Sequence, residues 1–163
     1  MSETGAGAPA AARAPAGAPA GARADGPLDA APRPGETVVV LADDLIWATR
    51  LVGQLRTLGA VPIRVGSADA FGAAVASGAP TRAVVDLTAR AYDGIAATGE
   101  AAASGRRVLC VGQHDDRELR KAAREAGAEK VVAYRTLFEN GHAALAAWLG
   151  VPVPAPGSVA VLA

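Results

Sequence analysis

Two hydrophobic rhythms alternate along this chain between Glu36 and Gly150. Short unbroken Val-rich runs give way to longer stretches in which apolar residues return every three or four positions. The first kind predicts buried strands and the second amphipathic helices. Val38 to Ala42 is the first run. Leu45 to Leu58 follows, with Leu45, Ala48, Leu51, Val52 and Leu55 on one helical face and Gly59 as a stop. Val61 to Val65 predicts a second strand, and Pro62 assigns it to a sheet edge. Ser67 can cap a helix over Ala68 to Ser77 that turns Phe71 and Val75 inward. Arg82 to Asp86 predicts the third strand, Asp93 to Ser104 an Ala-rich helix, and Arg106 to Gly112 the fourth strand. Asp115 or Asp116 caps a charged helix ending at Ala126, where Gly127 stops it. Lys130 to Tyr134 predicts the fifth strand, and Asn140 to Leu149 a last helix carrying Leu145, Trp148 and Leu149.

Strands that alternate with helices in this way predict a parallel sheet covered on both faces. Carboxylates at the carboxyl ends of such strands share one edge of the sheet, where open α/β folds place their ligands. Asp43 and Asp44 follow the first strand, and Asp86 ends the third. Three acids brought together repel one another, and a hard divalent cation relieves the repulsion. Mg²⁺ takes oxygen ligands of this kind. Asp44 also suits a helix N-cap, a role that needs no metal. Asp93 reads as a turn and helix cap, and His114, Asp115 and Asp116 as a solvated helix start beside the same edge.

Composition narrows the picture. The chain has 163 residues and balanced charge, with 16 Lys and Arg against 16 Asp and Glu. It therefore gives no prior for nucleic acid. Residues 1–35 are nearly all Ala, Pro and Gly, too poor in large side chains to offset the entropy of ordering, and are expected to form a disordered tail. Glu3, Asp25 and Asp29 argue against a transit peptide there. Residues 36–150 form the expected domain, and 151–163 an extension with an apolar end from Val159 to Ala163. No stretch is long enough to span a membrane, so a cytoplasmic protein is expected. The single cysteine, Cys110, lies within a strand run and reads as a buried structural thiol.

The ordered set of Asp43-Asp44, Asp86, Asp93-Gly94 and Gly127-Ala128, with its spacing, resembles the receiver domain of bacterial two-component response regulators. The match runs from Thr37 to about Leu149. The resemblance implies a flavodoxin-like doubly wound (βα)5 fold with five parallel strands in the order 2-1-3-4-5. It implies Asp86 as the aspartate that accepts a phosphoryl group from a histidine kinase. It also implies Mg²⁺ held by Asp43, Asp44, Asp86 and the backbone carbonyl of Thr88. A histidine kinase or another signalling protein would be the partner. The fourth and fifth helices would offer a face for that partner or for a homodimer.

Two positions depart from the family. Its fourth strand ends in Ser or Thr, and Gly112 stands there. Its fifth strand ends in lysine, and Tyr134 stands there, followed by Arg135. Lys130 starts roughly 13 Å from that end of the strand, at about 3.3 Å per residue, and cannot serve. Gln113 and Arg135 are the candidate substitutes for phosphate contact. The acid half of the site is present and the switch half is altered, which points to an atypical stand-alone receiver that signals through protein contacts, with no catalytic function of its own. One alternative is a phosphorylation-independent pseudo-receiver that acts as a scaffold. Another is a ligand-binding or enzymatic domain on the same fold, which lacks a glycine-rich phosphate loop to support it.

Overall fold

A computed structural model describes residues 35–113 and 115–154; the tail, His114 and the apolar C-terminal end lie outside the described residues. Five strands alternate with five helices: β1 (Thr37–Leu41), α1 (Leu45–Thr57), β2 (Val61–Val65), α2 (Ala68–Ala76), β3 (Arg82–Asp86), α3 (Gly94–Ala103), β4 (Arg107–Gly112), α4 (Arg117–Glu125), β5 (Lys130–Ala133) and α5 (Tyr134–Leu149). All pairings are parallel, in the order β2-β1-β3-β4-β5. This is the flavodoxin-like sheet that the sequence implied.

Successive strand residues point to opposite faces, and the two faces feed separate cores. Val38, Val40, Val84, Leu109, Val111 and Val132 pack under α1 and α5, with Leu51, Leu55, Leu145 and Trp148. Val39, Leu41, Ala83, Val85, Cys110 and Val131 pack under α2, α3 and α4, with Phe71, Val75 and Ala101. The central strands are buried on both sides, which is why they read as unbroken apolar runs. The edge strand β2 is different. Pro62 sits on it as expected, but Val61 and Ile63 are exposed, so the cover predicted for both faces does not extend to this strand.

The helices start where caps allow. The carboxylates of Asp44, Asp93 and Asp116 and the Ser67 hydroxyl accept backbone N–H bonds at the starts of α1, α3, α4 and α2. Gly94 has a second task. A Cβ there would lie 2.9 Å from Leu87 Cα and 3.0 Å from the Asp86 carbonyl oxygen. The Asp93-Gly94 pair is thus a cap followed by a close approach of α3 to the end of β3.

Two expectations are corrected. Leu45 was placed on the buried face of α1 but is 63 % exposed, whereas Trp47 is buried. Trp47 both joins the core under α1 and α5 and lines the cleft at the end of the sheet. The last helix begins at Tyr134, not Asn140. Asn140 adopts a non-helical conformation (φ −136°, ψ 34°) that divides α5 into an arm, 134–139, and a main segment. Two side chains of α1 meet the arm's end. Arg50 donates to the Phe138 carbonyl oxygen at 2.8 Å, and Gln54 donates to that of Leu137 at 3.2 Å. Gly141 makes room for Gln54, since a Cβ would come within 2.3 Å of its amide.

Candidate phosphoacceptor cleft

Parallel strands that end at one level place β1, β3 and β4 side by side. Leu41 pairs with Val85, and Asp86 with Val111. The loops that follow open a cleft of ≈ 540 Å³ lined by Asp43, Asp44, Asp86, Thr88, Arg90 and Gln113, with Ile46, Trp47, Tyr134 and Phe138 as its apolar side. The three predicted acids therefore share one cleft, together with Thr88 and Gln113. Gly112 sits beside Ala133 at the strand ends, and a Cβ on it would make only ordinary contacts, 3.7–3.8 Å, with Leu87 and Leu119.

Asp86 is buried, and one of its oxygens is crowded with donors. Oδ1 accepts the backbone N–H of Thr88 at 2.8 Å, the Thr88 hydroxyl at 3.0 Å, and the Tyr134 hydroxyl. Thr88 Oγ1 and Tyr134 Oη are themselves 2.6 Å apart. Tyr134 thus stands at the first position of α5, directly after β5, and contacts the Asp86 carboxylate with a neutral group. Its ring meets Trp47 edge-on, with centroids 5.3 Å apart. Burial pushes the Tyr134 hydroxyl above its ordinary pKa, and the bond to Asp86 adds to the shift. Tyr92 donates to the Leu41 carbonyl oxygen at 3.0 Å. Burial first, then the nearby Asp86 and Asp43 charges, raise its hydroxyl likewise. Both phenols are held protonated beside the acids.

The candidate cation Arg135 does not reach the cleft. It stands on the outer side of the arm, 80 % exposed, and donates to Glu139 at 2.8 Å, one helical turn on. A strand continuing through Tyr134 would have aimed it otherwise; the helix start turns it away. The arginine that does line the cleft is Arg90. Sequence reasoning passed over it because the course of the β3–α3 loop is not encoded in any local period.

No protein-family model and no curated protein sequence matches the chain. Solved structures do. A response-regulator receiver protein from Burkholderia phymatum is similar over 74 % of this chain and 99 % of its own, at 26 % identity and a TM-score of 0.59. The fold is that of a receiver domain. The receiver domain of a sensor histidine kinase from Pseudomonas aeruginosa, solved with a magnesium ion in its active-site cleft, is 19 % identical over 71 % of this chain and 98 % of that one (TM-score 0.58). The BeF3-activated receiver domain of RstA from Klebsiella pneumoniae is 16 % identical over 70 % of this chain and 98 % of that one (TM-score 0.62). Within the described residues, no helix is long and apolar enough to cross a membrane.

The donor set of the cleft suits a hard cation in kind. All three acids are carboxylates on one cleft wall. Among the described residues, hydrogen bonds engage Oδ1 of Asp44 (from the Trp47 N–H, 3.0 Å) and Oδ1 of Asp86, and leave the second oxygen of each available. The side chains as they stand do not converge tightly enough to form a ready-made metal cluster among the described residues.

Proposed function

We propose that this chain is an atypical receiver in which Asp86 accepts a phosphoryl group from a phosphohistidine or a small acyl phosphate. The observation that carries the reading is the buried Asp86 carboxylate at the foot of a cleft it shares with Asp43 and Asp44. In the transfer, a carboxylate oxygen of Asp86 attacks phosphorus. The bond from phosphorus to the donor nitrogen or oxygen breaks, and its electron pair leaves with the donor. The product is a mixed anhydride on Asp86. Oδ1 is held by three donors, so Oδ2 is the attacking atom. Mg²⁺, bound by Asp43, Asp44, Asp86 and the Thr88 carbonyl, would supply charge that offsets repulsion between carboxylate and phosphoryl oxygens. Arg90 is the side chain placed to add a second positive charge, and its planar fork suits phosphate. Gln113 offers an amide donor from the end of β4. Output passes to a kinase or another signalling protein.

The test is Mg²⁺-dependent labelling by acetyl phosphate, read by intact mass on the wild type and Asp86→Asn. A gain of one phosphoryl group that disappears in the variant supports the reading. No gain under conditions that label an ordinary receiver overturns it.

The second reading, a pseudo-receiver that ignores phosphate, has one observation in its favour: Tyr134 rather than a cation contacts Asp86. Unchanged partner binding after Asp86→Asn would mark it.

A further inference from the structure

Residues 134–139 are pinned at two ends. At one end the Tyr134 hydroxyl closes on Asp86 Oδ1 and Thr88 Oγ1. At the other, Arg50 and Gln54 hold the carbonyl oxygens of Phe138 and Leu137. The Arg50 guanidinium also lies over the Phe138 ring, 4.7 Å from its centroid. Beyond Phe138 the helix is broken at Asn140, which divides the arm from the main segment that carries Leu145, Trp148 and Leu149 into the core, although Leu137 of the arm packs into that same core. Inside the arm, Leu137 is buried whereas Phe138 stands half exposed at the cleft rim.

We infer that Tyr134 is a latch that reads the charge on Asp86 and, on its loss, releases the 134–139 arm. The inference rests on the reading of Asp86 as acceptor for its purpose, and on the Tyr134 contact for its mechanism. A phenol bonded to an ionised carboxylate makes a charge-assisted bond, about twice as strong as a neutral one. Once Oδ2 carries phosphorus, Oδ1 becomes an uncharged carbonyl oxygen. Its bond from Tyr134 falls to ordinary strength, which loosens the Tyr134 end of the arm. The relay expected of the fourth strand is absent, since Gly112 has no hydroxyl to pull inward. The signal in this chain is therefore a release of the fifth helix's first turn, with Phe138 as the side chain whose presentation changes.

The experiment is hydrogen exchange on peptides covering 134–139, in the wild type, Asp86→Asn, Tyr134→Phe and the double variant. Tyr134→Phe keeps the ring against Trp47 and removes only the hydroxyl; Asp86→Asn removes the charge. Each single variant is expected to speed exchange in the arm roughly tenfold, as loss of a bond to a charged acceptor implies. The double variant is expected to go no further, and α2 and α4 to stay unchanged. An arm unchanged in either single variant, or two effects that simply add, overturns the latch. Acetyl phosphate labelling of the wild type is read in parallel. A wild type that takes no label defeats the acceptor reading while the exchange cycle still decides the latch. A labelled wild type without exchange coupling defeats the latch and leaves the acceptor standing.

Discussion

The guanidinium of Arg82 donates to the backbone carbonyl of Trp148 at 3.0 Å while lying 5.3 Å from the centroid of that residue's own ring. Arg82 begins β3, is 2 % exposed, and also donates to the Leu149 carbonyl oxygen at 3.3 Å. Its Nε lies 2.9 Å from Glu36 Oε1, as a charge contact rather than an aligned hydrogen bond. One buried arginine thus ties the end of α5 to the start of the sheet. Arg82→Met removes the charge, leaves Glu36 with only the Thr81 hydroxyl as partner among the described residues, and strands two helix-end carbonyls. A loss of about 3 kcal/mol is expected, measured by urea unfolding with the slope unchanged. A loss under 1 kcal/mol would show that water replaces the tie.

Arg90 lines the cleft and Arg135 does not. Arg90→Ala is expected to slow acetyl phosphate labelling by about tenfold, in line with loss of one charge-assisted phosphate contact. Arg135→Ala is expected to leave the rate unchanged, because its side chain pairs with Glu139 outside the cleft. Equal effects from the two would return the phosphate contact to the arm.

The two roles of Asp44 can be divided by substitution. Asp44→Asn keeps a side chain able to accept the Trp47 N–H but weakens any Mg²⁺ site. Asp44→Ala loses the cap as well, with a further cost of about 1 kcal/mol to folding. Asp43→Asn, free of capping duty among the described residues, is expected to lower Mg²⁺ affinity with no change in melting temperature. Mg²⁺ titrations followed by Trp47 fluorescence, together with thermal melts, read both quantities. Asp43 and Asp44 variants that bind Mg²⁺ like the wild type would remove the cation site.

Cys110 gives the clearest pH dependence. Burial raises its thiol from the ordinary 9.0 to about 11, with the Thr98 hydroxyl, 3.2 Å away, opposing the shift. Between those values the unfolded chain releases a proton that the folded chain keeps. Stability is therefore full below pH 9 and falls as pH rises toward 11, by on the order of 2–3 kcal/mol. The raised hydroxyls of Tyr92 and Tyr134 act in the same direction from their ordinary value upward. Cys110→Ala is expected to flatten the part of the decline that begins at pH 9, seen in denaturant midpoints across pH. The native thiol should also resist disulfide reagents at neutral pH until the protein unfolds.

Two glycines beside Asp86 should respond oppositely. Gly94→Ala drives a Cβ to within 3.0 Å of backbone at Leu87 and Asp86, so a loss of about 1–3 kcal/mol and slower labelling are expected. Gly112→Ser meets nothing closer than 3.7 Å and should fold as well as the wild type while restoring a hydroxyl to the end of β4. Melting temperatures of the two variants settle the contrast.

The sheet was legible because its strands are short, apolar and bracketed by helix signals. The order of strands and the shared cleft of Asp43, Asp44 and Asp86 came from an ordered motif whose members each have a local cause: a cap at Asp44, a strand end at Asp86, a cap and close approach at Asp93-Gly94. The start of the fifth helix was not legible. Its first turn lacks a side-chain cap, and Asn140 followed by Gly141 reads as a start rather than a break. That error carried Arg135 toward the cleft and hid the arm. Arg90 was missed because loop direction depends on where α3 docks, which the sequence of the loop does not state. Tyr134 was read only as a departure from the family's lysine, because its bond to Asp86 is a tertiary fact.

The open margin of the sheet bears on how this protein behaves in a crowded solution. Val61 and Ile63 lie on β2 with much of their surface in water, a profile that invites strand-to-strand association between copies. Pro62 stands between them, where it removes a backbone donor, and Arg64 follows with its charge. The residue that marked this strand as an edge in the sequence therefore also withdraws a donor from that edge and opposes its extension by a further strand.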